Sequence, residues 1–402
     1  MTIRHKECKN NISYIHQIYS RSSFNIVSSN HIKYLRMAKD DLVTTGSILT
    51  DSSKDIEIQE IDWSMLENIA LENNVNVLLH PILHLSGSPG QFSQNSGIFS
   101  RLLDIKHKIG GFDVADSDKM SSFSVEIFNK LDLIMVPSNW SREAYVNSGV
   151  KSPVEVLPHG ISDKFSDNNT VTMSDKITEA INEITEDVNE MTKTINKNTT
   201  KIKELKEHGN ILILYFMLHS SYRKGADLVT EVMKRIQSKS KNVYLVFKSP
   251  GVLARECPGV NGIGLRDWIN EDDLRSLYDS CDICICPSRG GGFELNALEA
   301  SSRGIPTLVP NGGCFLDYID YLIPVDLSNK KIKLFDGNPI HVGNGFEVDI
   351  DDFEEKLTDT INNLEKYKSQ FRRNSKGIRD KLSWRSTAKT LEEYLRKYEF
   401  ID

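Results

Sequence analysis

The chain has 402 residues, 39% of them hydrophobic and 26% charged, which suits two or three soluble domains with a substantial core. Its formal charge of −7 argues against duplex nucleic acid as a partner. No run approaches 18 apolar residues, and the start, MTIRHKECKN, lacks the apolar stretch of a signal peptide, so neither a membrane span nor secretion is expected. The six cysteines are scattered rather than spaced as a framework and read as reduced thiols of a cytoplasmic protein.

The first 70 residues are poorly legible: a helix is predicted from a cap at Ser29 or Asn30 through His31–Lys39, and no first strand can be placed. Beyond them, β-rich apolar runs recur at Val75–Leu79, Leu133–Val136, Val154–Leu157, Ile211–Phe216, Val243–Phe247, Ile283–Cys286 and Ile305–Val309. Stretches of helical period lie between them, among them Asp227–Ile236, Glu271–Tyr278 and Leu295–Ser302. Strand–helix alternation predicts an α/β protein with doubly wound parallel sheets, in which ligands bind at the carboxyl ends of strands. Those ends are rich in Pro, Ser, His and Gly, as in Pro137-Ser138, Pro158-His159-Gly160, Ser249-Pro250-Gly251 and Pro287-Ser288.

Residues 174–208 differ in kind. Ile181, Val188, Ile195 and Ile202 fall at a positions and Ile177, Ile184, Met191, Asn198 and Leu205 at d, with no Gly or Pro between. So narrow an apolar seam predicts a coiled coil that pairs copies of the chain, against the plainer reading of a helix packed on its own domain. Segregated charge favours an antiparallel pair and Asn198 a parallel one, which leaves the orientation open.

The strongest chemical signal is CPSRGGGFELNALEAS over 286–301. A strand enters a triple-glycine loop and a helix starts near Glu294 or Leu295. This suits a phosphate or diphosphate, although the glycines could serve helix–sheet packing alone. Glu299, a turn into that helix, could accept hydrogen bonds from sugar or ribose hydroxyls. A second loop, His219-Ser-Ser-Tyr-Arg223-Lys224-Gly225, presents cations after a strand and reads either as the other wall of an anion site or as a solvated turn. Asp116, Ser138, Arg142, His159 and His219 are further candidate contacts in a cleft. Alternation places Cys284 and Cys286 on one face as small hydrophobes, and Asp116 with Asp118 is a faint metal pair, so no metal is expected. Neither a P-loop, a GxGxxG nor a GxSxG occurs.

With Lys224-Gly225 opening a helix, the block CDICICPSRGGGFELNALEASSRGIPTLVPNGG resembles the donor half of family 4 glycosyltransferases of the GT-B fold, also called group 1 glycosyltransferases. Upstream, LDLIMVPSNWSREAYVNSGVKSPVEVLPHGI is similar to the end of that family's N-terminal domain. The resemblance implies two Rossmann-like domains facing a cleft: 1–165 for the acceptor, reduced at its start, and 210–380 for the donor. Between them 166–209 is an insertion, and 381–402 is a helix crossing back to the first domain.

The resemblance also implies transfer of a sugar from a nucleotide-diphosphate sugar to an acceptor hydroxyl (glycan, lipid-linked or protein) with retention, without metal or cofactor. It assigns the diphosphate to Lys224, with Arg223 standing in for a family Arg whose place falls at His219. Donor contacts fall to Gly291, Gly292, Phe293, Glu294 and Leu295, and the ribose to Glu299. The family's first Glu falls at Gly291, and a Glu stands at 294 where the family has Gly. The glycine loop expected within 1–50 is missing. The expectation is therefore a cytoplasmic enzyme that self-associates, with peripheral attachment to a membrane left open. Two rivals stand beside it, a nucleotide-sugar epimerase and a non-catalytic scaffold that kept the donor pocket.

Overall fold

The computed structural model describes residues 12–18, 23–38, 43–49, 76–86, 107–166, 200–217, 220–249, 251–266 and 269–402. The chain forms two units, the first comprising Met1–Gly160, Phe335–Gly343 and Trp384–Asp402 and the second Ile161–Leu334 and Asn344–Ser383.

The first unit holds a six-stranded parallel sheet in the order β2-β1-β3-β4-β5-β6. Its strands are β1 at Ile12–Ile18, β2 at Val43–Leu49, β3 at Asn76–His80, β4 at Ile109–Phe112, β5 at Leu133–Val136 and β6 at Val154–Val156. Side chains alternate across it. Ile134 and Val136 join Ile127, Phe128 and Tyr145 on one face, while Leu133 and Met135 meet Ile32, Leu35, Leu391 and Leu395 on the other. Two glycines let β4 lie between its neighbours: a Cβ on Gly111 would sit 2.4 Å from the Leu79 carbonyl oxygen, and one on Gly110 would sit 2.9 Å from that of Leu133.

The helix expected to begin at Ser29 or Asn30 begins instead at Ser23 and runs to Ala38. Buried Ser28 lies in its interior and bonds the His16 ring at 3.1 Å, so tertiary contact overrides the weak helix propensity of its Ser and Asn residues. The helix Trp384–Lys397 packs Leu391 and Leu395 into the same cluster as Ile32 and Leu35.

In the second unit the order is β12-β11-β10-β7-β8-β9, again parallel. Its strands are β7 at Ile211–Phe216, β8 at Val243–Lys248, β9 at Gly262–Leu265, β10 at Ile283–Ile285, β11 at Thr307–Pro310 and β12 at Ile323–Val325. A short antiparallel pair, β13 at Ile332–Lys333 and β14 at Asn344–Gly345, brackets the segment that belongs to the first unit. Both six-stranded sheets are thus the parallel layers that strand–helix alternation predicts.

Most of the predicted heptad helix falls on 167–199, outside the described residues. Its end, 200–207, is helical, and Ile202, an a position, is 1% exposed. Here the helix is tied to its own unit: Lys206 and Lys368 donate to Asp282 at 2.7 and 2.5 Å, and the Leu212 amide donates to it at 2.9 Å. Burial alone would raise the Asp282 carboxyl, yet the Lys368 and Lys206 ammonium groups hold it below its ordinary value. Among the described residues no helix is long and apolar enough to cross a membrane.

Histidines gather at the carboxyl ends of β1 and β3. The Tyr14 hydroxyl bonds the Nδ1 atoms of His31 and His80 at 3.0 and 2.9 Å. Burial lowers His31 and His159 to about 3 and His16 and His84 to about 4, and it drives His80 in the same direction. These imidazoles are neutral in the folded chain at pH 7.

Two tests follow from this packing. Asp282→Ala strips an amide and two ammonium groups of their acceptor and should cost about 1–3 kcal/mol, read as a lower urea midpoint. Because the folded imidazoles resist protonation until about pH 3–4 while unfolded ones take a proton near 6.5, stability should fall progressively as pH drops through that window. Asp113 and Glu299, raised by burial to about 7 and about 8, act in the opposite sense, as two protons against those of five imidazoles. Urea midpoints from pH 7.5 to 4.5 should decline less steeply in His31→Gln than in wild type. Equal slopes would remove His31 from this account.

Candidate functional site

β7 and β10 are neighbours in the second sheet, so the loops after them emerge side by side. Gly225 has φ 77°, and a Cβ there would lie 2.4 Å from the Pro287 carbonyl oxygen, so only glycine lets the two loops approach this closely. The Arg289 amide donates to the Arg223 carbonyl at 2.7 Å. Its guanidinium, 2% exposed, donates to both carboxylate oxygens of Asp227 at 2.7 Å and to Glu347 at 2.9 and 2.5 Å. It also donates to the Tyr222 carbonyl at 2.7 Å and lies over the Tyr222 ring, 4.1 Å from the centroid.

On this frame Arg223, itself buried, donates to the Gly290 carbonyl at 3.0 Å, and Ser288 donates to the same oxygen. Lys224 Nζ donates to Glu294 Oε1 at 2.5 Å. Glu294 is 4% exposed, and its Oε1 lies 2.8 Å from where a Cβ on Gly291 would be. The carboxylate that the sequence carries at 294 thus comes back over the glycine at 291. The helix Leu295–Ser302 begins directly after Glu294 with no side-chain cap, so its first-turn amides retain their positive potential for an anion. Phe293 packs against the Tyr318 ring at 5.1 Å, and the Glu294 amide donates to the Tyr318 hydroxyl at 3.4 Å.

One turn into the helix, Glu299 accepts a hydrogen bond from the Tyr278 hydroxyl at 2.8 Å. Burial pushes its carboxyl up to about 8, against the lowering effect of that bond. Cys286 and Cys314 border the same region as buried thiols, raised by burial.

Arg223, Lys224, Gly291 and Glu294 therefore meet directly, Gly292, Phe293 and Leu295 lie in the same loop and helix start, and Glu299 follows within the helix. His219 lies outside the described residues. Asp116, Ser138, Arg142 and His159 belong to the first unit. There the Asp116 amide donates to His341 Nδ1 at 3.4 Å and Ser138 caps the helix Asn139–Ser148. Arg142 is exposed on that helix, and the His159 ring packs on Trp384 at 5.9 Å. Sequence reasoning overlooked Arg289, Tyr222 and Tyr278. A lone Arg between Pro-Ser and three glycines was the available signal for Arg289, but its acidic partners are 62 and 58 residues away.

Residues 210–325 match the family model described as glycosyl transferases group 1. An uncharacterized protein of Sulfolobus islandicus rod-shaped virus 1 is 27% identical over 96% of this chain and 98% of its own length. A protein named as a glycosyltransferase in Sulfolobus islandicus filamentous virus (isolate Iceland/Hveragerdi) is 27% identical over 71% of this chain and 73% of its own. Among solved structures, sucrose-phosphate synthase from Thermosynechococcus elongatus superposes with a TM-score of 0.62 over 96% of this chain and 98% of that one, at 12% identity. The fold is GT-B, and over residues 210–325 the chain is similar to group 1 glycosyltransferases.

Proposed function

We propose that the protein transfers a sugar from a nucleotide-diphosphate sugar to an acceptor hydroxyl on a glycan, lipid-linked or protein substrate, with retention of anomeric configuration. The observation that carries this reading is the meeting of Lys224, Arg223 and the glycine loop at the uncapped start of the helix Leu295–Ser302. Cations and first-turn amides there would stabilise the charge that builds on a departing diphosphate, in a site whose polar groups are already oriented. Little acid–base chemistry is then asked of the donor unit. Retention rests on the resemblance of residues 282–313 to the family. Glu299 supplies the ribose contact, its ionised form accepting from both hydroxyls.

The base is open to a direct test. A thermal-shift panel of UDP-, GDP-, ADP- and TDP-sugars should raise the midpoint for one series, and Glu299→Ala should reduce that shift. Lys224→Ala should weaken the preferred donor about ten- to a hundredfold by removing a charge-assisted hydrogen bond. Unchanged affinity would displace the diphosphate from this loop. Since the Glu299 carboxyl is raised to about 8, donor affinity should climb between pH 7 and 9 as the free enzyme ionises, and Glu299→Gln should flatten that climb. Binding without turnover on any acceptor would favour the scaffold reading, and turnover without an acceptor the epimerase.

A further inference from the structure

A lysine that is to hold a diphosphate is already occupied. Lys224 Nζ has the Glu294 carboxylate at 2.5 Å, inside the protein, where the pair is only weakly screened. Arg223 Nη1 borders the same space, 3.5 Å from the Cβ position over Gly291 that lies 2.8 Å from Glu294 Oε1. An incoming phosphoryl oxygen cannot reach Lys224 without either displacing this internal anion or accepting its repulsion. Release of Lys224 needs only the Glu294 side chain to turn, while its amide stays on the Tyr318 hydroxyl and Phe293 on the Tyr318 ring.

The repulsion is not equal for substrate and product. A nucleotide-diphosphate sugar carries its diphosphate as a diester, and its sugar hydroxyls can donate to a displaced carboxylate. The released nucleoside diphosphate has a terminal phosphate with an additional charge at neutral pH and no sugar to donate. Resting on the donor-site reading above, we propose that Glu294 is a counter-ion latch. It holds Lys224 in the empty site, yields it to the donor diphosphate, and competes for it again once transfer has removed the sugar, expelling the nucleoside diphosphate. The glutamate acts through Lys224 and is a positioning residue for release, distinct from the groups that stabilise the departing charge.

The test is calorimetric binding of the nucleoside diphosphate and of its sugar conjugate, in whichever base series the wild type prefers, to wild type, Glu294→Gln, Lys224→Met and the double variant. Glu294→Gln should bind the nucleoside diphosphate about tenfold tighter or more, with a smaller change for the conjugate, and the gain should vanish in the Lys224→Met background. A purely structural ion pair would weaken both ligands together. Nucleoside diphosphate affinity equal to or weaker than wild type, in both Glu294→Gln and Glu294→Ala, overturns the latch while leaving the donor site standing. So does a gain that survives in Lys224→Met. Failure of wild type and variants alike to bind any of the four series removes the donor reading and the latch together.

Discussion

The second unit depends on one buried guanidinium. Taking Arg289 out of water is costly unless its donors are satisfied, and here two carboxylates, a carbonyl and an aromatic face surround it. Its partners come from separate parts of the chain: the 220–225 loop, the start of the helix Ala226–Lys239, and the residues just after β14. The backbone reinforces the same junction, with the Phe346 amide donating to the Arg289 carbonyl at 2.9 Å and Gly345 leaving no room there for a Cβ, which would lie 2.0 Å from that oxygen. Arg289 thus ties together the loops that carry Lys224 and the three glycines, with all its own donors engaged.

The two units treat buried polarity in opposite ways. Around Tyr14 the first unit buries imidazoles as neutral groups, two of them bonded to the Tyr14 hydroxyl, with burial first and neighbouring histidines second lowering their proton affinity. The second unit buries charge outright and pairs it, at Arg289, at Lys224 with Glu294, at Asp282 with two lysines, and at Arg303 with Asp279 at 2.8 Å on both oxygens. Fixed charge of that kind is suited to recognising an anion by exchange of partners, because the alternative to one counter-ion is another rather than solvent.

Much of this was legible in the residues, and the exceptions have physical causes. The strands Leu133–Val136 and Ile211–Phe216 and the helix Leu295–Ser302 were placed with their observed limits because continuous apolar runs and a glycine stop leave little choice. β1 was missed because Ser13, Tyr14 and His16 look like loop residues until the fold supplies their partners. β4, IGGF, was missed because half its positions lack a side chain to signal burial. At the candidate site, spacing and family likeness single out Lys224 and Glu299 as expected contacts. The pairing of Lys224 with Glu294 was not, since nothing in a sequence states that a carboxylate three residues on folds back over a glycine.

The segment Phe335–Gly343 has a consequence for how the polypeptide is inherited and dissected. It leaves the second unit after β13, bonds the first through the Ser121 amide to the Ile340 carbonyl at 2.9 Å and through an antiparallel bridge between Met120 and His341, then returns at β14. With the C-terminal helix the chain passes between units four times, so neither is a continuous stretch that a single proteolytic cut could release intact. A fragment ending near residue 165 would lack Ile340, His341, Leu391 and Leu395 from its packing. Exchange of one unit between related genes would therefore need four joints, which favours the two lobes being inherited as a single piece.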